Sequence, residues 1–363
     1  MIYLNNIDKN IVNSEVLKSY NKVETDYFLN KDGILSQNEK SKRLYNSALK
    51  QILEVLSLKK EDIVFTSGLE ESSYLSITNY VMDKKNESSE IIVSALERDY
   101  IYDNVLYLKE KGVKIKYVSL DKNGMIDLND LKSKINDNTL MVIVSEVDGE
   151  MAIRQPIKTI KQILKKQNPN AILVSDMSDA ISYMNILMYD ADISFISSEK
   201  VCAPSGISLM YVSPKINYKI VENNKLFYKP SLSIISAFSK AIRITNQKRE
   251  KHLKEINNLN KMVYENLSQN KDIKLNISPN SLGHIVNISL MDIDKKKFAL
   301  SLEKRNIFVS VSDKISTTVY DVYKDQKRAS SCIKISFSYT NSIDDINKFL
   351  HSFKIVYNSL KGK

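Results

Sequence analysis

Lys200 is the residue around which chemistry can be built. It lies in the stretch Asp192-Ile-Ser-Phe-Ile-Ser-Ser-Glu-Lys-Val-Cys-Ala-Pro-Ser-Gly206, between two apolar runs, Ile193–Ile196 and Ile207–Val212. Apolar runs of this length, bounded by turn residues, predict strands. A lysine just past a strand end can serve as a Schiff-base amine, because ligands of α/β sheets sit at strand ends. It can equally be a solvated loop residue in a chain with 53 lysines and arginines. Asp176 ends another apolar run, Ala171–Ser175, and offers a carboxylate at a strand end. The two cysteines, Cys202 and Cys332, make neither a disulfide framework nor a zinc site. All three histidines, His252, His284 and His351, fall in the last third. A histidine metal site or a Ser-His-Asp relay therefore cannot be built within residues 1–251.

These residues need elements to hold them. Residues 1–45 read as irregular after the short apolar start Tyr3-Leu4, and Asn38–Leu56 has helical spacing. Strands are predicted at Asp62–Thr66, Glu90–Ala95, Val113–Ser119, Leu140–Ser145 and Ala171–Ser175, ahead of the two runs beside Lys200. Helices are predicted between them at Glu70–Met82, Asp99–Lys111, Asp127–Lys134 and Ile157–Lys166. Strand and helix alternate with short connections, which predicts an α/β fold whose mostly parallel sheet is covered on both faces. A long polar helix, Asn246–Asn270, breaks the pattern. Beyond it, strands at Gly283–Leu290 and Cys332–Phe337 and helices at Ile293–Lys304 and Ile343–Tyr357 suggest a smaller α+β domain. The expected division is residues 1–245 and 246–363.

The totals set limits. At 363 residues the chain can bury a sizeable core, and no run of 18 apolar residues could cross a membrane. The N-terminus lacks a charged region followed by an apolar one, so a reducing cytoplasm is the expected home. The net charge of +10 raises the question of nucleic acid, but the lysines are scattered among acids with no aromatic-flanked stripe. A solvated basic surface is the expectation, with neither nucleic acid nor membrane as partner.

Seven anchors then fall in order along the chain: Ile2-Tyr-Leu-Asn-Asn6, Ile63-Val-Phe-Thr-Ser-Gly68 with Glu71, Ser94-Ala-Leu-Glu97, Gln155-Pro-Ile157, Val174-Ser-Asp176, Ser197-Ser-Glu-Lys200 with Pro204 and Gly206, and Ile333-Lys-Ile-Ser336. In this order and spacing they resemble the cysteine desulfurases, a group within the class V aminotransferases of pyridoxal-phosphate fold type I. The resemblance implies a large domain with a mostly parallel seven-stranded sheet and a smaller C-terminal α+β domain. It also implies a homodimer with the cofactor pocket at the subunit interface, and a sulfur carrier, scaffold or other protein as partner. It assigns Lys200 to the Schiff-base lysine, Asp176 to the carboxylate beneath the protonated ring nitrogen, and Ser197 to a phosphate contact. A carboxylate there keeps the ring cationic and able to accept electrons. A helix starting after Gly68 offers amides to an anion.

Most of the remaining pocket departs from the family pattern. The threonine that holds the phosphate is Glu70, and the histidine before the lysine is Glu199. The glutamine near the ring hydroxyl is Asp179, and the segment Asp148-Gly149-Glu150 replaces Asn-Asn-Glu near the same oxygen. The ring-stacking histidine is Arg98. Two glutamates facing a phosphate at ~4 Å would each cost roughly 4 kcal/mol per unit charge at an effective dielectric of about 20. The mobile catalytic cysteine falls on Ile315, and the substrate-carboxylate arginine on Lys334, which lacks the bidentate fork. Ile7-Asp-Lys-Asn10 stands for the N-terminal Asn-Ala-Thr-Thr loop.

Three readings compete. The first is a desulfurase-like homodimer that has lost the reaction and works by binding, with Lys200 held in an internal ion-pair network among Asp176, Glu199 and Glu70 and with Arg98 as a second cation. The second is an active pyridoxal-phosphate aminotransferase or lyase needing no thiol. The third is a divalent-metal pocket of Asp148, Asp176, Asp179 and Glu199. The acidic replacements favour the first.

Overall fold

The computed structural model describes residues 1–28, 31–216, 218 and 228–361. Its strands in chain order are β1 (Ile2–Leu4), β2 (Ile63–Thr66), β3 (Glu90–Ser94), β4 (Lys114–Val118), β5 (Thr139–Ile143), β6 (Ile172–Asp176), β7 (Ile193–Ser197), β8 (Ser208–Val212), β9 (Ile273–Asn276), β10 (Ile285–Leu290), β11 (Ile307–Val309) and β12 (Cys332–Ser336). Seven form one sheet in the order β2-β8-β7-β6-β5-β3-β4. β3 to β7 pair in parallel, while β8 runs against both β7 and β2.

Burial on both faces explains the near-continuous apolar runs. Ile91 and Val93 of β3 enter one core and Ile92 the other. In β7, Ile193 and Phe195 point one way and Ile196 the other. β4 closes one edge with Lys114, Lys116 and an exposed Tyr117, charges that discourage further strand pairing.

The helices are α1 (Ser14–Asp26), α2 (Ser36–Leu56), α3 (Leu69–Ser73), α4 (Tyr80–Lys84), α5 (Asp99–Glu110), α6 (Leu128–Lys134), α7 (Ile157–Gln167), α8 (Leu232–Leu267), α9 (Lys295–Glu303), α10 (Thr317–Tyr323), α11 (Gln326–Ser330) and α12 (Ile343–Lys361). The helix expected at Glu70–Met82 is α3 and α4 joined by a wide π turn, Tyr74–Asn79. The second, smaller sheet is antiparallel, β12-β10-β9, over a core that includes Phe298, Phe349 and Phe353.

The N-terminal region corrects the sequence reading. Residues 1–45 are not irregular: they carry β1, α1 and the start of α2. β1 pairs in parallel with β11, and Leu4 joins the core of the smaller sheet. The long helix also begins earlier than Asn246, at Leu232, so position 245 falls inside the 36-residue α8.

Candidate functional site

The carboxyl ends of the parallel strands bring the chemistry together, as ligand sites of open α/β sheets require. The loop after β3 supplies Glu97 and Arg98. That after β5 supplies Glu146, Asp148, Gly149 and Glu150. The loop after β6 supplies Asp179 beyond Asp176 itself, and the turn after β7 supplies Lys200.

Lys200 sits on a short 3-10 turn, Ser198–Val201, and is 6% exposed. Its carbonyl accepts from Asn10 Nδ2 at 2.9 Å and from Ser182 Oγ. Its ammonium lies 2.8 Å from Asp179 Oδ1 and donates to the Ile7 carbonyl and, at 3.4 Å, to the Asp8 carbonyl. Three donors thus meet three acceptors.

The partner of Lys200 is therefore Asp179, not Asp176, Glu199 or Glu70 as expected. Arg98 completes the group: Nε donates to Asp179 Oδ2 at 3.0 Å, and Nη2 donates to the same oxygen and to the Ile7 carbonyl at 3.2 Å. Each oxygen of one buried carboxylate thus serves a different cation. Burial alone would raise the Asp179 carboxyl, but Arg98 and Lys200 override it and hold it far below the usual range. Arg98 is raised in turn by Asp179, against its own burial.

Asp176 is also engaged. Its Oδ1 accepts the Ser178 amide at 2.8 Å, and its Oδ2 accepts the Tyr100 hydroxyl. Burial and the neighbouring Asp179 charge raise its carboxyl despite both bonds. Tyr100, in the first turn of α5, is a residue that sequence reasoning missed; periodicity offers no signal for which first-turn side chain folds back onto a strand end.

Gly149 is small for a reason. A Cβ at this position would stand 2.1 Å from Arg98 Cζ, so the guanidinium lies directly on the glycine. The preceding Asp148 accepts the Glu150 and Met151 amides, each at 2.8 Å, and the Ile153 amide at 2.6 Å. Lys334 of β12 ion-pairs with Glu150 Oε1 at 2.6 Å. The lysine expected at the substrate-carboxylate position is thus paired within the chain.

The glutamates expected to face a phosphate do not enter this network. Glu70 is exposed and Glu199 is half-buried, and no ion pair joins either to Lys200. Instead Glu71 closes the turn around Gly68: its Oε2 accepts the Ser67 amide at 2.6 Å and the Ser67 hydroxyl at 2.7 Å. Ser197 is buried at the end of β7 and pairs with Ser208 of β8.

Further acids and a histidine surround the network. Glu97 accepts from Ser94 Oγ, the Ser145 amide and Ser145 Oγ, and burial pushes its carboxyl up to about 7. Burial pushes Glu146 to about 7 as well, and its Oε2 has no partner among the described residues. His284, also missed from sequence, is fully buried and stacks flat on Tyr183 with ring centroids 3.7 Å apart. Burial holds it at about 3, with Asp179 opposing and Lys200 and Arg98 adding to the effect, so its ring is neutral.

Above the network opens a cavity of about 540 Å³. Arg98, Tyr100, Gly149, Lys334 and Ile315 line it, but Lys200, Asp176 and Asp179 do not. Ile315 is 45% exposed on the loop between β11 and α10. Both thiols are buried and pushed up to about 11 by that burial, so neither Cys202 nor Cys332 is a thiolate near neutrality. Among the described residues no group of three or more histidines, cysteines and acids could hold a metal ion. No helix among them is long and apolar enough to cross a membrane.

The sequence matches the aminotransferase class-V family over residues 2–349. The cysteine desulfurase IscS 1 of Archaeoglobus fulgidus is 25% identical over 315 residues, spanning 84% of this chain and 82% of the relative. The cysteine desulfurase IscS of Clostridium botulinum is 24% identical over 356 residues, spanning 93% and 89%. Among solved structures, a NifS-like protein superposes with a TM-score of 0.88 at 20% identity over 100% of both chains. A NifS-like protein from Rickettsia africae gives 0.84 at 23% identity over 99% of each.

Proposed function

Since this chain belongs to the class-V aminotransferase family, whose members use pyridoxal phosphate, we propose that it keeps the desulfurase fold, has lost the desulfurase reaction, and acts as a homodimeric binding or scaffold protein. The observation that carries this reading is the Lys200 ammonium, shut between Asp179 and the Ile7 carbonyl and absent from the cavity walls. A Schiff-base lysine must offer a free amine to a carbonyl carbon. Here the Lys200 nitrogen is instead engaged by the Asp179 carboxylate at 2.8 Å and by the Ile7 and Asp8 carbonyls.

The rest of the site supports the same reading. Tyr100 engages the carboxylate that would face a ring nitrogen, and Arg98 lies where ring stacking is expected. The residues present do not fit pyridoxal phosphate in the family manner. Desulfuration also needs a mobile thiolate, and Ile315 stands at that position while both cysteines are buried thiols. Buried free thiols suit a reducing cytoplasm. The cavity over Arg98 and Ile315 offers a surface for a protein partner.

The test is optical and chemical. Purified protein mixed with pyridoxal phosphate is expected to show no visible absorbance band that disappears in Lys200→Ala, and no sulfide release from cysteine. A Lys200-dependent band together with sulfide release would overturn the proposal. Light scattering on the same sample checks the homodimer.

A further inference from the structure

Arg98 and Tyr100 flank a single residue at the start of α5, and both reach back under the ends of β5 and β6. The Tyr100 hydroxyl gives a hydrogen-bond donor to Asp176, whose other oxygen already accepts the Ser178 amide. Arg98 presses a planar cation onto Gly149, with Nε and Nη2 each 2.3 Å from where a Cβ would stand. The same guanidinium holds Asp179, and Asp179 holds Lys200. A donor to Asp176, a planar group laid against Gly149 and a partner for the Lys200 amine are the three things a bound pyridoxal ring would provide. Here the chain provides all three.

We propose that Arg98 and Tyr100 are an intramolecular substitute for the cofactor: they fill its slot and satisfy the carboxylates that would hold it, so the fold is complete without it. This rests on the reading of lost chemistry above, and it moves the cause. Repulsion by Glu70 and Glu199 is not what closes the site, because both side chains reach solvent and neither joins the network. Occupancy closes it. The arrangement is also self-consistent electrostatically, since Asp179 offsets a cation on each of its oxygens and an uncompensated buried charge would be costly.

The two causes separate in an experiment with pyridoxal phosphate as the probe. Wild type, Glu70→Thr/Glu199→His and Arg98→His/Tyr100→Ala, the last also carrying Asp179→Gln so that Lys200 loses its carboxylate partner, are incubated with it, reduced with borohydride and mapped by mass spectrometry, and their melting temperatures are measured with and without it. Label on Lys200 and a melting temperature raised by the probe are expected only in the triple variant. Label on Lys200 in the glutamate variant but not in the folded triple variant would overturn the substitution, as would no label in either. Tyr100→Phe guards against a variant that does not fold: it keeps the ring and loses the donor. It is expected to melt below wild type and to stay unlabelled, and a melting temperature equal to wild type overturns the Asp176 pairing. Label on Lys200 of wild type sinks the reading of lost chemistry itself. An unlabelled wild type beside an unlabelled, folded triple variant sinks only the substitution.

Discussion

Asp179 is the side chain on which the most depends. Replacing it by asparagine leaves Lys200 and Arg98 buried as two facing cations, and breaking a buried ion pair on one side costs ~3–5 kcal/mol. Urea unfolding of Asp179→Asn is expected to show a loss of that order; a loss below about 1 kcal/mol, the range of exposed pairs, would argue against a buried triad. Its neighbours shape the pH response. Asp179 is depressed, so its stabilisation is present above its unfolded value near 3.8 and fades as pH falls below it. Glu146 is raised from 4.5 to about 7, so its contribution is complete below pH 4.5 and is lost as pH rises through 7. Glu146→Gln removes that slope and is expected to gain roughly 2–3 kcal/mol relative to wild type at pH 8 compared with pH 4.5. Equal pH profiles for the two proteins would contradict a raised Glu146. The sequence named Lys200, Asp176, Asp179 and Arg98 as members of one pocket, but not who pairs with whom. Asp176 ends β6 and Asp179 lies three residues further on in the following loop, and only the backbone path decides which carboxylate faces the amine and which faces Tyr100.

At the scale of elements, the strands were easiest to read because both sheet faces are covered and their apolar runs are nearly unbroken. The first helix escaped because it offers little contrast: only Val16 and Val23 of α1 are buried. The start of α8 escaped for the opposite reason. Residues Ser233, Ile235, Ser236, Ala237, Phe238 and Ser239 are all buried, so no polar face marks the helical period there. Between β11 and α10, Ile315, the residue expected at the family's cysteine position, is 45% exposed. Ile315→Cys is therefore expected to react with a thiol-disulfide reagent in the native protein while Cys202 and Cys332 stay protected. Sulfide release should remain absent in that variant, because the amine is still enclosed. Measurable sulfide from Ile315→Cys with added cysteine and pyridoxal phosphate would show that the thiol was the only missing part.

For the whole molecule, the larger and smaller parts of the chain are tied at several places, the Lys334–Glu150 ion pair among them. β1 pairs with β11, α8 packs along α1 and α2 and then continues beneath β10, and Ile153 bridges Ser281. Lys200 adds a further tie, since the Ile7 and Asp8 carbonyls it holds lie a few residues beyond β1. Calorimetry is expected to show one cooperative unfolding transition; two transitions separated in temperature would mean that these ties are weak.

The glycine under Arg98 has a historical consequence. If the reading of lost chemistry holds, regaining a ring-binding pocket by single steps is obstructed at each of three positions. Losing Arg98 removes one of two neutralising cations, losing Asp179 strands both, and any larger residue at position 149 evicts the guanidinium before a substitute is in place. On the proposed reading of lost chemistry, a lineage that acquired this arrangement would have passed through a ratchet, and Lys200 would be kept for its charge.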